Sequence, residues 1–235
     1  MRRLITVLGL SVLFITAGCT TVQGDGNVIT QSYEVSDFTS VDVGGVGELV
    51  ITIGEPASLE ITTDTNLHEY IEVTVEDNTL DIGFENGVVI SNPTELTYAV
   101  TVPSLESVSM SGSASFSMDE FTAESFTLSV SGAADVEMDD LDLESFTLDI
   151  SGSADVTLDG TAGEMDLEVS GAADLDATDL EVSTATIDIS GSSDVNLTVT
   201  ESLTGEVSGA ADLTYEGNPD NNLDISGSAD INAED

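Results

Sequence analysis

Six aspartates are the residues of this chain whose type and spacing could do chemistry. Asp135, Asp155, Asp174, Asp194, Asp212 and Asp230 each occupy the fifth place of a short motif that recurs through the second half, with Ser115 at that place in the first copy. Stacked in register, they would form a ladder of carboxylates about one strand spacing, ~4.8 Å, apart. Oxygen-only ligands suit calcium, which makes the ladder a candidate divalent-cation site. The G-G-x-G-x-D-x-U-x repeat of calcium-loaded β-rolls is missing, and one aspartate per repeat is sparse ligation. Two carboxylates can also hydrolyse a glycoside, at roughly 5 to 9.5 Å separation and in environments tuned apart. Identical aspartates on every repeat point to structure rather than to such tuning.

Other chemistry-bearing side chains are few. His68 is the only histidine, expected in a solvent-facing turn; a Ser/His/Asp triad would need it, and no G-x-S-x-G elbow exists. With no Trp and four Tyr, a sugar-stacking platform is thin. No catalytic residue is assigned, and the chain is expected not to be an enzyme. Asn196-Leu197-Thr198 is the only N-x-[ST] sequence without proline and makes Asn196 a glycosylation candidate. Cys19, the single cysteine, permits no intramolecular disulfide.

The charge balance excludes whole classes of function. Of 235 residues 46 are Asp or Glu and two are basic, Arg2 and Arg3, for a net charge of −44. No acid precedes Cys19, so residues 19–235 carry no Lys or Arg and about −46 of side-chain charge. Nucleic-acid binding needs a basic footprint, which is missing. Recognition of phosphates and uronates likewise loses its usual Lys and Arg.

The N-terminus reads as an address. Arg2 and Arg3 precede an apolar run of twelve, residues 4–15, too short to span a bilayer as a helix of ~20 residues. Thr16-Ala17-Gly18 then supplies small residues before Cys19, as a cleavage site does. The stretch resembles a lipoprotein signal peptide over residues 1–18. That resemblance implies that Cys19 becomes the lipidated first residue and tethers the chain to a membrane without spanning it. Residues 19–26 are expected to form a short tether.

The elements that must position the aspartates come from a repeat. Ser-Gly recurs at Ser111, Ser131, Ser151, Ser170, Ser190, Ser208 and Ser226, at intervals of 18 to 20 residues, as SGSASF, SGAADV, SGSADV, SGAADL, SGSSDV, SGAADL and SGSADI. Around each copy apolar residues alternate with period 2, as in Phe126, Leu128, Val130, Ala134, Val136 and Met138. Period 2 means strand with one buried face. The dip to Gly and Ala in the buried row marks a bend where only small side chains fit. A unit of about 19 residues is too small for its own core and must stack on its neighbours. The expected fold is therefore all-β, a parallel β-helix (solenoid) of about 19-residue coils.

The first half is less regular but still β. Residues 28–30, 40–53 and 59–63 are rich in Val, Ile and Thr, with turns expected at Gly44-Gly45, at residues 54–56 and at residues 64–66. Residues 70–75 and 80–84 flank Asp77-Asn78, a hairpin turn. No linker separates the halves, so residues 27–235 are read as one β-helix domain, with irregular N-terminal coils over 27–103 and seven repeats over 104–235.

Four features carry a resemblance to a known family: Phe38-Thr39-Ser40-Val41-Asp42-Val43 followed by Gly44-Gly45-Val46; Leu59-Glu60-Ile61-Thr62-Thr63-Asp64 with Asn66-Leu67; Leu80-Asp81-Ile82; and Val102-Pro103-Ser104-Leu105 leading into Ser111-Gly112-Ser113. Over roughly residues 35–230 the chain resembles the head GIN domain family of autotransporter-adhesin heads. The resemblance implies a right-handed β-helix that is secreted or surface-exposed and non-catalytic. It carries over no functional residue.

In water, neighbouring ladder carboxylates would repel by ~0.9 kcal/mol per pair, and something must offset five such pairs. At 1 M salt the Debye length is ~3 Å, so a brine environment would suppress the repulsion. Calcium on the ladder is the alternative, and hydrogen bonds from Ser131-type hydroxyls or turn amides are the third. The overall expectation is an exported, lipid-anchored, monomeric envelope protein. Its acidic face would meet a carbohydrate, a cationic protein or another surface, with no cofactor other than possible calcium. A degenerate glycan-processing enzyme is the remaining reading.

Overall fold

A computed structural model describes residues 20–234 of the chain. The signal peptide expected over residues 1–18 and the lipidation candidate Cys19 lie outside these described residues. The fold is all-β, a solenoid of about six turns with coils of roughly 20 residues.

The strands before the repeats are β1 (Thr20–Gln23), β2 (Val28–Tyr33), β3 (Ser40–Ile53), β4 (Ser58–Asp64), β5 (Ile71–Glu76), β6 (Thr79–Phe84), β7 (Val88–Ser91) and β8 (Leu96–Val102). The repeats form β9 (Ser107–Gly132), β10 (Asp135–Gly152), β11 (Asp155–Gly171), β12 (Asp174–Gly191) and β13 (Asp194–Gly209). Three shorter strands, β14 (Asp212–Glu216), β15 (Asp220–Ile225) and β16 (Asp230–Glu234), finish the stack. From β3 through β9 to β16 every neighbouring pair is parallel, as a coil that returns in the same sense requires.

The period-2 reading translates directly into burial. Phe126, Leu128 and Val130 point into the coil, as do Val136 and Met138 after the bend, and all are at most 4% exposed. One continuous core runs from Phe38 to Leu213. Like side chains stack on like: Phe126 sits over Phe146 with ring centroids 5.9 Å apart and planes 13° from parallel, and Phe121 meets Phe126 edge-on at 5.0 Å.

The bend at Ser-Gly is made by two devices. Ala134, Ala154, Ala173 and Ala211 fill the inside of the corner, all buried. Gly132, Gly152, Gly171 and Gly191 have φ between +122° and +145°, a region that side-chain-bearing residues rarely adopt. A Cβ on any of them would collide with the carbonyl oxygen of the glycine one coil earlier. That same carbonyl accepts the amide after the next glycine, as in Ser153 to Gly132 and Ser192 to Gly171, both 2.8 Å. The hydrogen-bond ladder therefore crosses the corner without a gap.

The expected turn at Gly44-Gly45 is the same corner in an earlier coil. Gly44 pairs with Ser111 and Gly45 with Gly112, so β3 is the first rung of the stack. The expected hairpin at Asp77-Asn78 joins β5 and β6, and both turn residues have positive φ, 49° and 65°. The remaining N-terminal strands cap the solenoid instead of coiling. β2 runs antiparallel to β4 and β4 antiparallel to β8, which returns to parallel pairing with β3. A short 3₁₀ turn, His68–Tyr70, follows β4.

Ser193 departs from the pattern. It stands in the buried alanine row at 1% exposure, and its hydroxyl has no hydrogen-bond partner. An orphaned buried hydroxyl costs roughly 1–3 kcal/mol. Ser193→Ala is accordingly expected to raise the chemical-denaturation stability by about 1 kcal/mol or more. Gly171→Ala should lower it by at least about 1–3 kcal/mol, from its backbone conformation alone. Urea titration followed by circular dichroism measures both.

Candidate functional site: carboxylate ladders along the solenoid

Each corner sets the position of the strand that leaves it. Asp135, Asp155, Asp174, Asp194, Asp212 and Asp230 pair residue for residue from coil to coil, and all six are exposed. Ser115 pairs with Asp135 on one side and with Glu48 on the other, so Glu48 extends the acidic column to the first coil. An open depression of about 360 Å³ lies at this end, lined by Glu48, Ser115, Asp135, Glu137 and Asp155 among others.

A second acidic column stands on the strand that enters the corner. Asp149, Glu168, Asp188, Glu206 and Asp224 are partners in five successive coils. Sequence reasoning missed it because Asp and Glu alternate there and the column lies outside the Ser-Gly motif. The signal was present: each acid precedes its Ser by two residues. Between the two columns runs the serine row, so acid, hydroxyl and acid repeat along the axis. A third acidic feature is an open groove of about 730 Å³ on another corner, where Glu124, Glu144, Glu164, Glu181 and Glu201 are interspersed with Ser145 and Thr161.

The serine hydroxyls do not serve the ladder aspartates as expected. Ser131 donates to the Met110 carbonyl at 3.3 Å, and Ser190 and Ser208 donate to the Val169 and Ile189 carbonyls at 3.4 Å. Each hydroxyl leans back on the backbone of the preceding coil because the corner turns the ladder position away from it. Ser129, in the column before the corner, does reach a carboxylate, Asp149, at 3.4 Å. Among the described residues no three His, Cys, Asp or Glu side chains converge as a metal-binding group.

His68 is not a solvent-facing turn residue. It is 8% exposed, with Nδ1 3.0 Å from the Tyr33 hydroxyl and Nε2 3.3 Å from the Ile29 carbonyl. The neutral ring satisfies both contacts when Nε2–H donates to Ile29 and Tyr33 donates to Nδ1. Antiparallel β2 covers the 3₁₀ turn, a long-range pairing that no local pattern announces. Asn196 lies half-buried in mid-strand between Asp176 and Thr214, and its sequon partner Thr198 donates to the Thr178 carbonyl at 2.7 Å.

Two acids, Asp64 in the cap and Asp42 on the first coil, have perturbed affinities for protons. Asp64 is fully buried, which alone would raise its pKa, but its carboxylate accepts the Thr94 amide (2.7 Å), the Thr94 hydroxyl (2.8 Å) and the Gly26 amide (2.6 Å). These bonds hold it below the usual carboxylate range. Asp42 goes the other way, raised first by burial and then by the charge of Asp81, its neighbour in register. The lowered Asp64 stabilises the fold above the ordinary carboxylate pKa, and that contribution is lost as pH falls through its folded value. The raised Asp42 opposes folding at neutral pH, a penalty lifted as pH falls through its own folded value. Asp64→Asn should therefore lower the thermal midpoint at pH 7, with the difference from wild type closing as pH falls below ~4. Asp42→Asn should raise the midpoint at pH 7. Thermal melts across pH 2–8 check both.

Residues 37–219 match the family model described as "Putative auto-transporter adhesin, head GIN domain". Among solved structures, the chain is similar to a putative adhesin from Bacteroides fragilis, with 25% identity, TM-score 0.85, and coverage of 91% of this chain and 100% of that one. A putative lipid binding protein from Parabacteroides distasonis shares the fold at 20% identity and TM-score 0.75, covering 92% and 100%. A putative adhesin from Parabacteroides merdae does so at 21% identity and TM-score 0.68, covering 92% and 99%. None of these descriptions is of an enzyme. Among curated proteins nothing matches the chain.

Proposed function

This chain belongs to the head GIN domain family, and from that premise we propose that it is a non-enzymatic surface protein, exported and lipid-anchored at Cys19, that presents a rigid acidic lattice to a cationic partner. The observation that carries the reading is the pair of in-register carboxylate columns on a chain with no Lys or Arg beyond Arg3. Of the 46 acids, 31 fall in residues 104–235, about five per coil. At a rise of ~4.8 Å per coil that is roughly one charge per Å of axis, denser than the one per ~1.7 Å of duplex DNA. A polyanion of such density holds a layer of counterions, and a polycation that displaces them gains their release. Anionic partners are repelled.

Catalysis fits the site poorly. An acid and a base need environments that set them apart, whereas the four inner ladder aspartates, Asp155, Asp174, Asp194 and Asp212, each have an aspartate above and below. The hydroxyl rows add hydrogen-bonding capacity for carbohydrate, a secondary partner class. High salt is the surrounding that relieves the repulsion within each column, and it agrees with a repeat surface rich in acids and hydroxyls and free of Lys and Arg.

Binding of a fluorescent lysine-rich peptide, followed by anisotropy over a range of salt, tests the proposal. Affinity should fall linearly on a log–log plot against salt. Replacing Asp174, Asp194 and Asp212 together with Asn should flatten the slope by up to about one unit per aspartate engaged. Salt-independent binding, or turnover of a neutral glycan, would contradict it.

A further inference from the structure

We propose that the first strand of the chain is a fixed base rather than a spacer, so that an anchor at Cys19 stands the solenoid on its N-terminal cap with the acidic columns rising away from the bilayer. The inference rests on the lipid-anchor reading. Thr20, the residue next to Cys19, is already in the sheet. Its amide donates to the Gly87 carbonyl at 2.7 Å, and β1 pairs in parallel with β7 over four residues. The segment stays held beyond the strand. Asn66 donates to the Gln23 carbonyl (2.8 Å) and accepts the Asp25 amide (3.0 Å), and the Gly26 amide donates to buried Asp64. Gly24 packs so closely on Asp64 that a Cβ there would collide with the carboxylate.

The clamp sits at one end of the stack. β7 lies in the chain between β6 and β8, and both of those pair with β3, the first coil. All later coils add on the other side of β3, so about six turns at ~4.8 Å carry the last coil roughly 29 Å from the base. One further feature favours that posture: Val89, 48% exposed on β7 beside Thr21, places an apolar side chain at the anchored end.

The test uses the full lipidated protein in vesicles of phosphatidylcholine and phosphatidylglycerol that contain a nitroxide-headgroup lipid. The Cys19 thiol is then consumed by the lipid, so one introduced cysteine takes a fluorophore. Asn86→Cys marks the exposed turn before β7, and Asn232→Cys marks the last coil. Quenching should be several-fold stronger at position 86 than at 232, and a Gly-Ser spacer inserted between Cys19 and Thr20 should bring the two together. Equal quenching without the spacer, or stronger quenching at 232, overturns the proposal. Hydrogen exchange on the unsubstituted protein examines the clamp alone: slow amides at Thr20 and Val22, the two that face β7 in the parallel pairing, support it, and coil-like exchange at both overturns it. Mass spectrometry that finds Cys19 without lipid overturns the anchor and the posture with it, while hydrogen exchange still decides the clamp.

Discussion

The structure depends on how closely one coil's backbone can lie on the next at a single corner. The glycines from Gly45 to Gly227 form a column in which each residue lies against the one before, too close for any Cβ, with φ values only glycine adopts easily. That contact lets the amide–carbonyl ladder run unbroken round the bend, and it fixes the phase of each coil. Once the phase is fixed, period-2 alternation does the rest: apolar residues fall on one another inside, and outward residues fall into columns. Coil length can then vary between 18 and 20 residues, because the slack is taken up in bulges away from the Ser-Gly corner, between Met138 and Leu141 or between Ala177 and Glu181.

The same phase-locking creates the electrostatic problem. A framework that stacks Phe126 on Phe146 must also stack Asp155 on Asp174 and Asp149 on Glu168. Apolar burial favours the stack by ~25 cal/mol per Å² and hardly depends on salt at these concentrations, whereas the carboxylate repulsion falls off once the Debye length drops below the strand spacing. The surface chemistry and the fold are thus opposed at low ionic strength and compatible at high. A chain under this constraint gains a rigid, periodic polyanion, and a clamped first strand would set which way it points.

What was legible in the sequence was the part that repeats. Seven Ser-Gly copies and the flanking alternation were enough for rung length, parallel register and the six-aspartate column. Residues 27–103 read as irregular coils, but the register of β3 with the repeats was not legible, because Gly44 replaces the motif serine and Glu48 its aspartate, so only pairing with β9 reveals it. The second acidic column was hidden by Asp/Glu alternation. The cap was the least legible, since β2, β4 and β8 pair antiparallel across about 30 to 40 residues and leave no periodic mark. Buried Asp64 and His68 both belong to that cap, and each looks like an ordinary surface residue until the strand that covers it is known. Asp77-Asn78 was readable for the opposite reason, because a two-residue turn carries its own chemistry.

Circular dichroism of the chain from Thr20 onward, titrated from molar salt to near zero with and without millimolar calcium, tests the opposition between stacking and charge most directly. The account predicts that β structure weakens as salt is withdrawn and that calcium restores it no better than any divalent salt of equal ionic strength. A fold indifferent to salt, or one rescued by calcium alone, would contradict it.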